Sequence, residues 1–343
     1  MSADIQYYVA LIVVFACVAA ISCWGLDVHF GHTGILNFAF ITSHAVGAYT
    51  VALLTLGAPE AEGGIPGQAY FWGTEIPFPF TYLIAILAGI LVSLPLGLVA
   101  LRRLRSDYQA IALLAVAMIA SVMVIAVPAF LGGGLGLHSI PAPLEDQLDL
   151  PRTQYSWFFA GFCVAVAAFA YLVVTQMTRS PLGRTLRAVR DNPAAADALG
   201  VNIVSNRMVA FAIGNGLGAL SGALLVSYLG TWSPNDWLYG ETLMLLGAVI
   251  VGGAGNKFGV LLGALLIPVA LTEGARFLPP IGAPGTVEAL QFVLVGIVII
   301  LFLWFRPQGI VPELRRRFDD AGKPVPALKS FALDRAERTT RRS

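Results

Sequence analysis

Long apolar segments separated by short polar links make up most of the chain. Several of them reach the roughly 20 apolar residues that an α-helix needs to cross a hydrocarbon core. Membrane spans are predicted at about 5–26, 34–57, 80–101, 108–131, 155–177, 207–230, 240–254, 258–278 and 287–305. The pattern therefore predicts an all-α, polytopic integral membrane protein with about 8–10 transmembrane helices, some of them broken or re-entrant.

One apolar stretch, residues 240–278, is too long for a single ordinary span. The glycine-rich segment 252–259 interrupts it, so we expect a broken or re-entrant helix pair there. A phosphate-binding loop is a poor interpretation of these glycines, because Phe258 rather than serine or threonine follows Lys257.

Composition separates the chain from soluble globular proteins. Its 343 residues are 57% hydrophobic and 12% charged, whereas soluble domains carry about 25% charged residues. The first 100 residues contain no lysine or arginine. The first apolar run therefore lacks the basic region of a cleavable signal peptide, and we predict a retained span. Cys17, Cys23 and Cys163 lie within or beside apolar spans, which favours small buried side chains over a disulfide framework or a metal cluster.

Basic residues form three clusters, at 102–105, 179–190 and 306–317. Positively charged loops stay on the cytoplasmic side of a membrane, and the predicted spans place all three clusters on one side. The N-terminus is then expected outside and the C-terminus in the cytoplasm. The chain divides into a transmembrane domain, residues 1–306, with a cytoplasmic loop at 179–206, and a partly disordered cytoplasmic tail, residues 307–343.

Four residues near predicted span ends are expected at the membrane–water interface. Trp232 and Trp237 flank a short outer loop, where interfacial aromatic residues are common. Asp27 follows the first predicted span directly, and Glu241 lies at the start of the seventh.

The cytoplasmic loop carries its own helix signals. Ser180-Pro181 and Asn192-Pro193 each place a capping residue before a proline at the first helical position, and Gly200 is a plausible stop. The loop is therefore predicted to form two short helices joined at residues 191–192. From spacing alone it could grip a protein partner, or it could lie on anionic lipid headgroups through its arginines.

Several motifs resemble the LivM-type permease family in order and spacing. The string from Ser180 to Gly200 resembles that family's cytoplasmic loop, and Ala195-Ala196-x-x-x-Gly200 matches most of the importer pattern Glu-Ala-Ala-x-x-x-Gly, with Ala194 in place of the glutamate. The resemblance covers roughly residues 20–312. Its further motifs are at 31–34 with 47–49, 105–108, 233–235, 246–255 with 259 and 263, and 305–309.

The resemblance implies a function and a set of partners. The family's members are inner-membrane permease subunits of bacterial ABC importers for branched-chain and other small amino acids, or for urea and short amides. A second, LivH-like permease subunit, two cytoplasmic ATPases and a periplasmic or extracellular solute-binding protein are the implied partners. A small-molecule substrate and membrane lipid are expected besides, and no nucleic acid. The residues implied to contact the ATPase are Arg184, Arg187, Arg190, Asn192, Pro193, Ala195, Ala196, Asp197 and Gly200.

No bond chemistry is expected of the chain itself. It contains no Gly-x-x-x-x-Gly-Lys-Ser/Thr motif, so ATP hydrolysis must come from separate subunits. We expect no cofactor, metal or catalytic residue. An ion-coupled secondary transporter is disfavoured because ionisable residues lie almost wholly at span ends. An intramembrane enzyme is disfavoured because the four histidines are scattered.

Polar residues inside predicted spans mark a candidate substrate pathway, since such residues usually face a cavity or a neighbouring helix. The candidates are Asn37, Ser43, His44 and Asn215. His44 could instead be hydrogen-bonded between packed helices. The glycines around Asn215 are more typical of close helix packing than of a binding site.

Overall fold

The computed structural model describes residues 3–57, 68, 70–275 and 286–313. Its helices are α1 (Ala3–Thr33), α2 (Phe40–Thr55), α3 (Phe80–Arg103), α4 (Ser106–Ala126), α5 (Pro128–Leu131), α6 (Glu145–Leu148), α7 (Arg152–Arg179), α8 (Pro181–Asp191), α9 (Pro193–Ala198), α10 (Ile203–Leu229), α11 (Tyr239–Gly252), α12 (Lys257–Ala264), α13 (Thr272–Ala275) and α14 (Thr286–Phe305). Two 3-10 turns, Gly133–Leu135 and Pro234–Trp237, and a π-helical stretch, Leu265–Leu271, complete the set.

The predicted fold class is confirmed. Among the described residues, six helices are long and apolar enough to cross a membrane, and Phe40–Thr55 and Leu290–Phe305 are shorter apolar helices. Each of the predicted spans overlaps one of the described helices. Large apolar side chains remain exposed on α3, α4 and α14, as expected for surfaces that face lipid rather than water.

The first boundary was predicted wrongly, because α1 continues to Thr33 instead of ending near residue 26. Its polar residues do not break the helix, since Asp27, His29 and His32 are buried within the bundle. The helix ends where Gly34 adopts a left-handed conformation, with φ of 73°, which costs glycine little.

Helix α10 lies at the centre of the bundle and packs on α1, α2 and α3. Small residues permit this close approach. A Cβ atom on Gly47 would collide with the backbone of Ala219, and one on Gly222 would collide with the carbonyl of His44. Membrane helices associate through such small residues because lipid provides no hydrophobic driving force between them.

The glycine-rich segment breaks the helix pair as predicted. Helix α11 ends at Gly252, and Gly253 and Gly255 take positive φ values of 114° and 83°. The side chain of Asn256 then caps α12 by accepting from the amides of Phe258 and Gly259. We call residues 253–256 the glycine turn.

Residues 306–313, which we call the C-terminal segment, pack against this turn. The amides of Ile310 and Val311 donate to the carbonyls of Val251 and Gly252 at 2.8 and 3.1 Å. Asn256 Nδ2 donates to the carbonyl of Pro312 at 3.1 Å. The remainder of the predicted tail, residues 314–343, lies outside the described residues.

The regions that carry the second and third basic clusters meet at one end of the bundle, where Arg190 Nη2 donates to Glu313 Oε2 at 3.0 Å. Lys257 Nζ donates to Thr178 Oγ1, next to the second cluster. Leu101, beside the first cluster, packs in one buried group with Ile35 and Phe211.

Two expectations about interfacial residues were wrong. Trp232 and Trp237 are 0% and 3% exposed, because both rings pack inward, Trp232 on His44 and Trp237 on Tyr49. Asp27 is fully buried.

Candidate functional site

The loop between α7 and α10 forms the two predicted helices, α8 and α9, which meet at residues 191–192. We call residues 181–200 the coupling segment. The two helix starts differ in detail. Asn192 caps α9 by accepting from the amide of Ala195 at 3.0 Å, as predicted. Ser180 has the extended backbone of a cap, but its hydroxyl donates to the carbonyl of Met177 at 2.6 Å, so its predicted capping bond is absent.

The end of the coupling segment is a Schellman motif. Gly200, at φ of 79°, donates its amide to Asp197 O at 2.8 Å, and Val201 donates to Ala196 O at 3.1 Å. The predicted stop at Gly200 is thereby confirmed. This turn holds the end of α9 in a defined conformation.

One face of the coupling segment packs inward and the other is exposed. Gly183, Leu186 and Val189 are buried on α8, and Ala196 is buried on α9. Of the residues implied to contact an ATPase, Arg187 and Arg190 are half-buried, and the exposed ones are Arg184, Asn192, Pro193, Ala195, Asp197 and Gly200. Ala196 therefore supports the loop from inside rather than offering a contact surface.

Leu199 is a candidate contact residue that sequence reasoning missed. Its side chain is 84% exposed at the end of α9, although the other exposed residues of the segment are polar or small. An exposed leucine is common on a protein surface, so its position beside the exposed Ala195 and Asp197 is what makes it a candidate. The only signal in the sequence was an apolar residue directly before the helix-stop glycine.

Arg190 faces the bundle and joins three parts of the chain. Its guanidinium donates to the carbonyl of Gly31 at the end of α1 and to Glu313 Oε2, at 3.0 Å, in the C-terminal segment. A further bond, of 3.0 Å, reaches Asp191 Oδ1. Burial lowers the pKa of the Arg190 guanidinium, but the charges of Glu313 and Asp191 outweigh it and raise the pKa above its usual value. Arg190 therefore stays charged at any physiological pH.

A second hydrogen bond attaches the end of α1 to the glycine turn. Asp27 Oδ1 accepts from the amide of Gly255 in the glycine turn at 2.7 Å, and Asp27 Oδ2 lies 3.5 Å from His32 Nε2. The end of α1 is thus attached to the coupling segment through Arg190 and to the glycine turn through Asp27. These attachments join segments that lie 159 and 228 residues apart in sequence.

Three of the four predicted pathway residues line one small cavity between α2, α3 and α10. Asn37, Ser43 and Asn215 contribute to its wall. Further polar lining comes from Thr42, whose hydroxyl has no hydrogen-bond partner among the described residues, and from Ser93. The cavity volume is about 10 Å³, which is close to the least that holds one water molecule.

The two asparagines belong to a fully bonded amide network. Asn37 Nδ2 contacts His29 Nδ1 at 3.2 Å and donates to Asn215 Oδ1 at 3.3 Å, while Asn37 Oδ1 accepts from the amide of Ala39. His29 Nε2 lies 3.0 Å from the carbonyl of Phe211. This carbonyl can only accept, so His29 carries its proton on Nε2 and accepts at Nδ1. The network fixes the start of α2 against α10.

His44 lies apart from that cavity and takes the alternative role considered for it. His44 Nδ1 lies 2.9 Å from Ser221 Oγ on α10, and Ser221 also accepts from Ser22 Oγ on α1 at 2.8 Å. The histidine is therefore hydrogen-bonded between packed helices, with its ring against Trp232.

A family model and several known permeases match this chain. The model described as "Branched-chain amino acid transport system / permease component" matches residues 8–303. The chain belongs to this family. It is 28% identical to the high-affinity branched-chain amino acid transport system permease protein LivM of Escherichia coli over 311 residues, 85% of this chain and 67% of that protein.

Other relatives extend the comparison. The chain is 30% identical to the probable branched-chain amino acid transport permease protein LivM of Methanocaldococcus jannaschii over 315 residues, 84% of this chain and 88% of the relative. A xylose transport system permease protein, XylH of Haemophilus influenzae, is 28% identical over 47% of this chain and 40% of its own length. No solved structure matches the chain.

Proposed function

We propose that this chain is the membrane-spanning permease subunit of an ATP-driven ABC importer, and that it moves branched-chain or other small amino acids across a bacterial inner membrane. The observation that carries the proposal is the coupling segment. Two short helices, the second capped by Asn192, present Leu199 and small exposed residues such as Ala195 outward, while Leu186 and Val189 anchor them inward. A rigid, exposed element of this kind suits docking to a separate ATPase.

The bonds of Arg190 give the coupling segment a way to move the bundle. A displacement of α8 pulls on the carbonyl of Gly31 and therefore on the end of α1. Through Glu313 the same displacement reaches the C-terminal segment and the glycine turn. Arg190 thus acts as a positioning residue that transmits movement, whereas Leu199 supplies a contact surface.

The substrate pathway is proposed to run between α2, α3 and α10. Asn37 and Asn215 offer amide groups, and Ser43 offers a hydroxyl, that can replace water around a zwitterion. A cavity of about 10 Å³ is far below the 300–1,000 Å³ or so of ligand pockets. We propose that this route is closed in the structure and that movement of α1 and α2 opens it.

The proposed partners are a second, similar permease subunit, two ATPases on the side of the coupling segment, and a solute-binding protein on the opposite side. In this arrangement the N-terminus lies outside and residues 307–343 lie in the cytoplasm. The cargo assignment is supported by the relatives from E. coli and M. jannaschii, which are named for branched-chain amino acid transport.

The test is uptake by the reconstituted complex in liposomes. Radiolabelled leucine should accumulate when ATP is present at the ATPase side, and accumulation should persist when ion gradients are collapsed. Unlabelled isoleucine and valine should compete, whereas urea and acetamide should not. Accumulation that requires an ion gradient and no ATP would overturn the importer assignment, and competition by urea or acetamide alone would overturn the cargo.

A further inference from the structure

A lateral groove opens on the outside of the bundle, away from the proposed substrate pathway. Its volume is about 550 Å³ and its exposed lining is entirely apolar. Helices α1, α7 and α12 form its walls. The lining residues are Val13, Ala16, Cys17, Ala20, Trp24, Val164, Ala167, Ala168, Tyr171, Leu172, Phe258, Leu261 and Leu265.

The length of the lateral groove matches one leaflet of a bilayer. On α1 it runs from Val13 to Trp24, a rise of about 16 Å at 1.5 Å per residue. The hydrocarbon core is about 30 Å thick, so the groove accommodates acyl chains of one leaflet. A transmembrane helix of another subunit would need a contact surface of about twice that length.

The basic end of the groove is closed by aromatic residues and a cation. The rings of Trp24 and Tyr171 are 5.3 Å apart, and Trp24 Nε1 donates to the carbonyl of Lys257 at 3.0 Å. Lys257 Nζ lies 5.8 Å from the centre of the Tyr171 ring and 3.1 Å from Thr178 Oγ1. The groove therefore leads directly to an ammonium group at the membrane surface.

Two arginines add to this positive charge. Arg179 follows Thr178 and is exposed, and Arg187 is half-buried on α8. Both lie close enough to act electrostatically on Lys257, and so does the buried carboxyl group of Asp27, with the opposite sign. Among the described residues, no carboxylate lies within 4.0 Å of any of these three cations. An apolar groove with unpaired cations at its surface end is complementary to an anionic lipid.

The geometry points to a binding site for one anionic phospholipid, with an acyl chain in the lateral groove and the headgroup phosphate against Lys257 and Arg179. The site lies on the same side as the coupling segment, which follows α7 directly. Cytoplasmic leaflets carry anionic lipids. A bound lipid would brace α7 and α12 where they adjoin the coupling segment.

The test is native mass spectrometry of the full-length chain in detergent, titrated with phosphatidylglycerol or with phosphatidylcholine of the same acyl chains. The wild type should retain one phosphatidylglycerol and bind it at least about five-fold more tightly than phosphatidylcholine, since each basic residue near a headgroup contributes ~1 kcal/mol. K257Q should lower phosphatidylglycerol affinity about five-fold, and K257R should restore it. R102Q removes an exposed charge at the same end of the bundle and should leave the affinity unchanged.

A second pair of variants tests the groove. Ala168 lies in the groove and Ala165 lies outside it on the same helix, and both are exposed. A168L should lower the affinity for both lipids, whereas A165L should not.

Equal binding of the two lipids by the wild type, or equal losses of affinity in K257Q and R102Q, would overturn the proposal. Displacement of the lipid by inorganic phosphate would show a bare anion site instead. Loss of the second permease subunit from A168L complexes, with lipid binding intact, would show a protein interface. All of these outcomes are independent of ATP-driven uptake.

Discussion

Replacing Arg190 with glutamine should release the C-terminal segment from the glycine turn. Arg190 contacts the carbonyl of Gly31 and Glu313 Oε2 in the same place. Glutamine keeps one amide donor but loses the charge and the forked geometry that serve both acceptors. Glu313 is then left half-buried without an ion-pair partner among the described residues. The backbone bonds of Ile310 and Val311 are not changed directly.

The free energy lost in R190Q follows from how exposed the side chains of Arg190 and Glu313 are. The side chains of Arg190 and Glu313 are 18% and 17% exposed, and a hydrogen bond to a charged group contributes about 1.5–3 kcal/mol at such sites. Asp191 is 60% exposed, so its pair with Arg190 contributes about 0–1 kcal/mol. We expect R190Q to weaken attachment of the C-terminal segment by about 2 kcal/mol, or roughly 30-fold in the opening equilibrium.

Hydrogen–deuterium exchange measures this opening directly. The amides of Ile310 and Val311 are bonded to carbonyls of α11, so they exchange when the segment detaches. Peptides containing these two amides should exchange roughly 30-fold faster in R190Q than in the wild type, when both are measured in lipid nanodiscs.

R187Q provides the matched control, since Arg187 lies on the same helix and has no ion pair among the described residues. R187Q should exchange like the wild type. In a double-mutant cycle, R190Q and E313Q should share a coupling energy of about 0.5–3 kcal/mol. Unchanged exchange in R190Q, or fully additive effects in the cycle, would refute the proposed role of Arg190.

Three further predictions concern the contact surface, the pathway and the packing. L199S should weaken binding of the purified ATPase subunits roughly 10-fold or more, because burying a leucine contributes about 1.5–3 kcal/mol. L150S, on the opposite side of the membrane, should have no effect, and equal binding by both variants would contradict the contact role. N215A removes one hydrogen-bond acceptor from Asn37, which should lower the folding stability by about 1–3 kcal/mol. It should cut leucine uptake at least several-fold while ATP hydrolysis continues, and unchanged uptake would remove Asn215 from the pathway. G222A forces a methyl group against the carbonyl of His44, so it should destabilise the protein by about 1–3 kcal/mol and lower its melting temperature. A Cβ atom added at Gly161 meets no described atom within 4 Å, so G161A should leave the melting temperature unchanged. Equal shifts in melting temperature for the two variants would contradict the packing argument.

Local features of the fold could be predicted from the sequence. Apolar runs near the thickness of a membrane predict spans without any knowledge of their neighbours. The two helices of the coupling segment were predictable because Pro181, Asn192 and Gly200 act on their own immediate backbone. The break at 253–256 was predictable for the same reason, since glycine allows positive φ.

Contacts between distant parts of the chain could not be predicted in this way. Asp27 looked like an interfacial residue because nothing in the sequence indicates that Gly255 donates to it across 228 positions. Arg190 resembled its neighbours Arg184 and Arg187, yet it faces inward to meet Gly31 and Glu313. Among the pathway candidates, polarity alone did not separate His44 from Asn37, because only the folded structure places Asn37 at the small cavity and His44 against Trp232 and Ser221.

The side of the membrane on which the coupling segment lies tests the central claim most directly. Leu199 replaced by cysteine can be labelled with a membrane-impermeant maleimide in inside-out and in right-side-out vesicles. The unmodified chain serves as the control for labelling of its own cysteines. We expect labelling in inside-out vesicles only, and protection from labelling when the ATPase subunits are added back. Labelling in right-side-out vesicles, or no protection by the ATPases, would contradict the central claim.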